Sequence, residues 1–324
     1  MSRPERAHAS ALATTAFTPI VWGTTYLVTT ELLPPGRPML AAAVRALPVG
    51  LAFVLWSRRL PSGIWWLRAA VLGLLNIGAF FALLFVAAYR LPGGVAATAG
   101  AIQPLVAAAI AAVVLRERFT RATAIAGVMG VAGVALLVLR PDAGLDPVGI
   151  AAALAGTVSM ATGVVLTKHW GRPVDLITFT GWQLSAGGLM LVPVVAAMEG
   201  VPPQLTGTNL AGFAWLAIVG TGAAYAVWFR GIQALPIAMV SFLGLLSPLV
   251  ATALGWAVLG QDLSPSQMLG ALLVVAAVLA PQLAAGWRPG PRGGPAGVGR
   301  LLRSRRPSAA HTKSSRDASP CRCP

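Results

Sequence analysis

Residues 91–120 read LPGGVAATAGAIQPLVAAAIAAVVLRERFT, and residues 235–264 read LPIAMVSFLGLLSPLVATALGWAVLGQDLS. Each opens on Leu-Pro, carries a second proline twelve residues on, and closes in a polar turn before another Gly-rich apolar stretch. Pro92 and Pro236, like Pro104 and Pro248, are offset by 144 residues, close to half the chain. A chain that repeats itself over half its length is built from two copies of one unit. In a membrane, two such copies commonly enclose a central site.

Composition supplies the membrane. Apolar residues make up 56% of the 324 and charged residues only 10%, too few charges to keep a soluble domain of this size dispersed. Working outward from the repeat, ten apolar segments of roughly span length emerge. They are 11–31, 38–57, 64–89, 92–115, 121–140, 147–167, 175–198, 209–230, 235–259 and 266–286. Segments this long must satisfy their backbone internally, so an all-α membrane protein is expected. Five spans per half is an odd number, so the second half enters from the opposite side. The expected fold is ten transmembrane helices as two inverted five-helix repeats, 11–140 and 147–286. Residues 1–10 form a short cytoplasmic N-terminus, and 287–324 a disordered basic cytoplasmic tail rich in Pro, Gly, Ser and Arg.

Charge orients the chain. With the N-terminus inside, the cytoplasmic pieces before the tail hold Arg3, Arg6, Arg58, Arg59, Arg68, Arg116, Arg118, Arg121, Lys168, Arg172 and Arg230. The outer pieces hold only Arg37, Arg90 and Arg140, which favours both termini in the cytoplasm of a plasma-membrane protein. Much of the formal charge of +15 comes from the tail. A basic segment beside a helix end suits anionic lipid rather than nucleic acid. Cys321 and Cys323 both lie in that tail, so neither a disulfide framework nor a Cys/His zinc site is expected in the body.

Further positions agree with the repeat: Gly78 with Gly222, Phe81 with Tyr225, Phe85 with Phe229, and at a slightly different offset Arg45 with Gln183. Trp22-Gly23-Thr24-Thr25-Tyr26 in the first span precedes Leu40-Ala41-Ala42-Ala43-Val44-Arg45 in the second. The Pro92 to Pro104 unit then ends in Arg116-Glu117-Arg118-Phe119, before a Gly-rich fifth span. This set resembles the EamA-type family of the drug/metabolite transporter superfamily, twice over, across about residues 11–286. The resemblance implies a ten-helix carrier with a central cavity, for export or uptake, and no particular substrate. The second copy departs from the pattern where Gln261-Asp262 stands against Glu117.

The expected function is a secondary transporter moving a small metabolite, amino-acid-like solute or drug by alternating access, with export the expected direction. The alternative is a channel or a non-transporting scaffold. An enzyme is disfavoured because His8, His169 and His311 offer no nucleophile–base pair or metal cage inside the membrane, and no cofactor is expected. Every acidic residue lies at a helix end, loop or tail, which favours uncoupled facilitation or exchange over proton coupling. Glu117, between Arg116 and Arg118, is expected to form a local ion pair.

Candidate cavity residues follow from polarity at helical spacing. Trp22 and Thr25, with Thr18 and Thr29, form a stripe on the first span, and Tyr26 lies beside it. Asn76 and Phe80 share a face of the third span, and Tyr225 and Trp228 share one on the eighth, a turn after Thr221. Gln103 and Ser247 each precede an in-span proline, and Gln183 lies on the seventh span. In lipid such groups either bond between helices or line a cavity. Arg45 is the only formal charge deep within a span, and a guanidinium there costs about 2.5–3.5 kcal/mol on insertion scales. Cavity-facing, paired and snorkelling placements all remain open for it. Pro104 and Pro248 read either as a paired gate or as two tolerated kinks. Small residues at Ala122, Ala126, Gly130 and Gly187-Gly188 permit close helix approach, within the chain or across a homodimer.

Overall fold

The computed structural model describes residues 3–90, 99–138, 146–200, 204–260 and 262–284, within which the side chains of 3–7, 26, 30, 85, 88, 89, 259, 283 and 284 are not described. The Leu91-Pro92 pair, Gln261 and the basic tail thus lie outside the described residues. What is described is helical throughout, with no strand. Among the described residues eight helices are long and apolar enough to cross a membrane by length and composition. Gln103–Val114 is a shorter apolar helix, and Arg3–Leu32 runs for 30 residues. The outer surface is apolar, with Trp56 86% and Val113 82% exposed, while Arg45, Asn76, Gln183 and Thr221 are buried inside. A monomer in water rarely leaves such a surface uncovered, and this inside-out distribution suits lipid.

Helix ends follow their caps. Asp146 accepts from the N–H groups of Val148 and Gly149 ahead of Pro147–Trp170, and Asp175 from Thr178 ahead of Leu176–Met198. Thr206 and Asn209 close a reciprocal capping box at Gly207. The Pro38–Ser57 helix has no such cap of its own, since Arg37 makes no side-chain cap bond. Its first N–H groups are met from another helix: Glu199 Oε1 accepts from Met39 and Oε2 from Leu40, each at 2.8 Å. Arg37 in turn donates to the carbonyls of Glu199 and Gly200.

Five expected spans differ in detail. The first helix starts at Arg3, so the described part of the expected N-terminal segment is itself helical. The third span is helical from Trp65 to Arg90 but passes through a π segment at Leu74–Gly78. The eighth, Gly207–Ala234, passes through another at Trp215–Ala223. The ninth breaks between Ile237–Leu243 and Leu246–Leu259. A matching interruption precedes Gln103–Val114, with turn residues at 101–102. These interruptions carry i to i+3 bonds, such as Ile102 N–H to Ala99 O and Leu245 N–H to Phe242 O. Pro104 therefore sits in the first turn of its helix, and Pro248 is the third residue of its own. Each span breaks in the turn just before its proline, where the sequence allowed a kink, because the ring crowds the carbonyl four residues back and offers it no N–H. A missing N–H in a first turn costs no intrahelical bond, because no partner exists there.

Packing pairs the helices across the chain. Pro38–Ser57 runs along Leu176–Met198, and Arg121–Val138 along Pro265–Ala284. Both pairs are antiparallel: Met39 and Leu40 meet Glu199 while Gly50 meets Ser185, and Gly130 meets Ala277 while Leu137 meets Gly270. The small residues account for the close approach. A Cβ at Gly188 would lie 2.8 Å from the Leu47 Cα, and one at Gly187 would strike Ile77 and the Gly73 carbonyl. Gly130 seats Leu245, and Ala126 is fully buried. These small faces are filled within the chain.

Candidate functional site

Two polar junctions form where a π segment faces a neighbouring helix. In a π turn the backbone hydrogen bonds shift register, leaving carbonyls free to accept from side chains. At Trp215–Ala223 those acceptors meet Arg45, which is 6% exposed. Its Nε donates to Thr221 Oγ1 at 3.0 Å and its Nη2 to the Gly220 carbonyl at 3.3 Å. The guanidinium carbon stands 4.7 Å from the centroid of the Phe81 ring. Trp22 Nε1 donates to the same Gly220 carbonyl at 3.1 Å. The head group of Arg45 is therefore enclosed by helices and anchored on the π segment.

The second junction surrounds the π segment Leu74–Gly78. Asn76 Nδ2 donates to Gln183 Oε1 at 2.9 Å and to Thr167 Oγ1 at 3.1 Å. All three side chains are fully buried. The Asn76 carboxamide lies over Gly163, where any Cβ would collide with Oδ1. That oxygen and Gln183 Nε2 have no hydrogen-bond partner.

An aromatic chain joins the junctions. The Trp22 ring centroid lies 5.2 Å from that of Tyr225 and 5.1 Å from that of Trp228. Tyr225 continues to Phe229 at 5.6 Å, and Phe229 to Phe179 at 6.0 Å. The Tyr225 hydroxyl stands 3.5 Å from the Asn76 carbonyl, so the chain spans from the Arg45 junction to the Asn76 junction. Trp228 Nε1 is buried and makes no hydrogen bond. A buried donor left open in this way costs about 1–3 kcal/mol unless something meets it. The arrangement suits binding a small solute with a planar apolar part and a few polar atoms.

The helix interruptions meet beside each other. A Cβ at Gly244 would lie 3.8 Å from Gln103 Oε1, and Ile237–Leu243 packs against Gln103–Val114. Gln103 Nε2 and Ser241 Oγ are buried without partners there. Glu117 does not form the local ion pair expected with Arg116 and Arg118. Its Oε1 accepts from Lys168 Nζ at 2.9 Å, and its Oε2 from the Ile237 N–H at 3.0 Å. Lys168 also donates to the Leu235 carbonyl. The reason is geometric: the Ile237–Leu243 helix begins after Pro236 with no side-chain cap of its own, and Glu117 serves as that cap.

Of the residues expected to line a cavity, the structure brings together Trp22, Arg45, Asn76, Gln183, Tyr225 and Trp228. Phe80 is half-buried and stacks on Phe81 at 5.5 Å. Thr25 and Ser247 are half-buried and join the hydrogen bonds of neither junction. Tyr26 lies in the first helix with its side chain outside the described ones. Sequence reasoning missed Gly220, Thr167 and Lys168 as members of these networks. The Gly220 role is a backbone carbonyl, which no side-chain pattern announces. Thr167 had only a weak signal, being one of four hydroxyl residues in its span with Thr157, Ser159 and Thr162.

The EamA-like transporter family model matches residues 10–139 and again residues 147–280. The chain belongs to the EamA-like transporter family. It is 47% identical over 265 residues to Protein PecM of Dickeya dadantii (strain 3937), covering 81% of this chain and 89% of PecM. It is 29% identical over 268 residues to the uncharacterized inner membrane transporter YedA of Escherichia coli (strain K12), covering 80% and 86% of the two chains. One solved crystal structure matches 86% of this chain and 98% of its own with a TM-score of 0.73 at 22% identity, a likeness of fold. The protein is thus a membrane transporter with multiple spans, and the two halves separately match one family.

Proposed function

We propose that this EamA-like protein is a ten-span secondary transporter of the plasma membrane that moves a small metabolite, amino-acid-like solute or drug by alternating access, in the export direction. Residues 11–140 and 147–286 act as inverted repeats, with both termini cytoplasmic and the tail at 287–324 resting on anionic lipid. The observation that carries the reading is the buried polar and aromatic centre, to which both halves contribute: Trp22, Arg45 and Asn76 from the first, Gln183, Tyr225 and Trp228 from the second. Three features support the inversion. The second helix of each half packs antiparallel against its counterpart, as does the fifth. A π segment occurs at the offset of 144 residues in both halves, at 74–78 and within 215–223. The interruption before each second proline also recurs at that spacing.

Pro104 and Pro248 act at a gate in this reading, by preventing helix from propagating backward through the interruptions. Thr25, Tyr26, Phe80, Gln103 and Ser247 line the route on either side of the centre. Carriers and channels part in one measurement. Purified protein in liposomes should show saturable counterflow of at least one solute from a metabolite panel loaded on the opposite side. Flux that rises linearly with concentration would establish a channel instead. Oriented vesicles report the direction.

A further inference from the structure

Arg45 is a buried cation whose partners are all neutral. Thr221 and Gly220 accept from Nε and Nη2, and Phe81 covers one face of the plane. Among the described residues no carboxylate pairs with it, and Nη1 makes no hydrogen bond to any of them. Two anchors on one edge of the guanidinium fix its plane and leave the other N–H groups in the fork geometry that matches a carboxylate. The Gly220 carbonyl takes Trp22 Nε1 as well, which holds the indole beside the cation. From there the Trp22 ring meets both Tyr225 and Trp228, and the Trp228 N–H is buried without an acceptor.

We propose that the central site selects planar monoanionic solutes, an aromatic or conjugated carboxylate being the simplest case, with the carboxylate on Arg45 and the ring beside the half-buried Trp22. This rests on the carrier reading above. One cation neutralises one charge, and a dianion would leave a net negative charge buried, which a low-dielectric site opposes. A neutral or cationic solute would leave Arg45 without a counter-charge. Charge-assisted hydrogen bonds to a carboxylate are among the stronger ones available to a protein.

The test uses the full chain in nanodiscs and in liposomes. The probes are benzoate, phenylacetate, 3-phenylpropionate and 2-naphthoate, each beside its uncharged amide. Binding is read by thermal stabilisation and transport by counterflow. The wild-type protein should bind at least one carboxylate about tenfold or more tightly than its amide, from the usual gain of a charged hydrogen bond. Arg45→Gln should erase that preference by weakening carboxylate binding far more than amide binding, and Arg45→Lys should retain part of it because the charge stays and the fork is lost. No carboxylate preference in the wild type, or a preference that survives Arg45→Gln, overturns the proposal. If Arg45→Gln does not fold, the wild-type comparison and Arg45→Lys decide it. The two readings fail separately. Arg45-dependent binding without saturable flux sinks the carrier and keeps the anion site. Saturable flux of neutral solutes alone, unchanged in Arg45→Lys, keeps the carrier and sinks the anion site.

Discussion

The Arg45 and Asn76 junctions occupy matching places in the two halves and differ in charge. In each, a side chain from the second helix of one half reaches the π segment of the other half: Arg45 to Gly220 and Thr221, Gln183 to Asn76. The sequence repeat aligns Arg45 with Gln183, and Asn76 with Gly220. One backbone device is thus used twice with different chemistry. Where the helix offers Asn76, the facing residue is a neutral amide that accepts from Asn76 Nδ2, while Asn76 Oδ1 and Gln183 Nε2 stay unpartnered. Where it offers a bare carbonyl at Gly220, the facing residue is a cation with no acid paired to it among the described residues. Both junctions keep polar groups unmet, a neutral acceptor and donor in one and a cation in the other.

Placing a charge in the neutral junction tests that contrast most severely. Gln183→Arg is expected to cost about 3 kcal/mol, the insertion penalty of an unpaired guanidinium, and to cut the yield of folded protein sharply. Normal yield and melting temperature would mean the two sites are interchangeable. Asn76→Ala should cost about 1–3 kcal/mol, because Gln183 and Thr167 would lose their buried partner. Thermal unfolding in detergent reads this directly.

The reverse change, Arg45→Met, should shift stability by less than about 1.5 kcal/mol in either direction, since an apolar residue of similar volume replaces an uncompensated charge. Saturable transport should nevertheless be lost. A variant that melts far below the parent would make Arg45 a structural residue like Asn76. Smaller still is Glu117→Gln, at about 0–1 kcal/mol, because the Lys168 pair is about a quarter exposed on both sides. Its expected signature is a changed counterflow rate at nearly unchanged melting temperature, since the pair ties the helix after Pro236 to its neighbours.

Acid sensitivity should come from neither junction, because neither contains a carboxylate. It should come from helix caps such as Asp175. The Thr178 N–H, first, and the Thr178 hydroxyl hold its carboxyl below the ordinary carboxylate range. A depressed folded value contributes stability above the unfolded value of about 4, and the contribution is lost as pH falls through the folded one. Unfolding measured from pH 6 down to pH 3 should show a slight loss at the acid end that Asp175→Asn removes.

Much of this was legible before any coordinates. Twenty-residue apolar runs can only be helices in lipid, so span positions followed to within a few residues for 38–57 and 176–198. Arg45, Asn76, Gln183, Tyr225 and Trp228 stood out because a polar or aromatic side chain in such a run needs a reason. The partners did not stand out. Glu117 and Lys168 are 51 residues apart in the chain, and Arg45 and Thr221 are 176 apart. Neither spacing carries a local signal. The prolines marked the broken spans from sequence, but only the structure shows the break falling in the turn before each, at 101–102 and 244–245.

The sequence by itself determined the elements and the duplication, because hydropathy and helix length act locally and the repeat is a property of the string. Only the tertiary structure decided which polar group answers which. A π turn that opens a carbonyl, a cation held against a ring and a cap supplied by a distant carboxylate are all set by helix packing. Each exists because burial makes an unmet polar group costly, and the nearest remedy in space is far away along the chain.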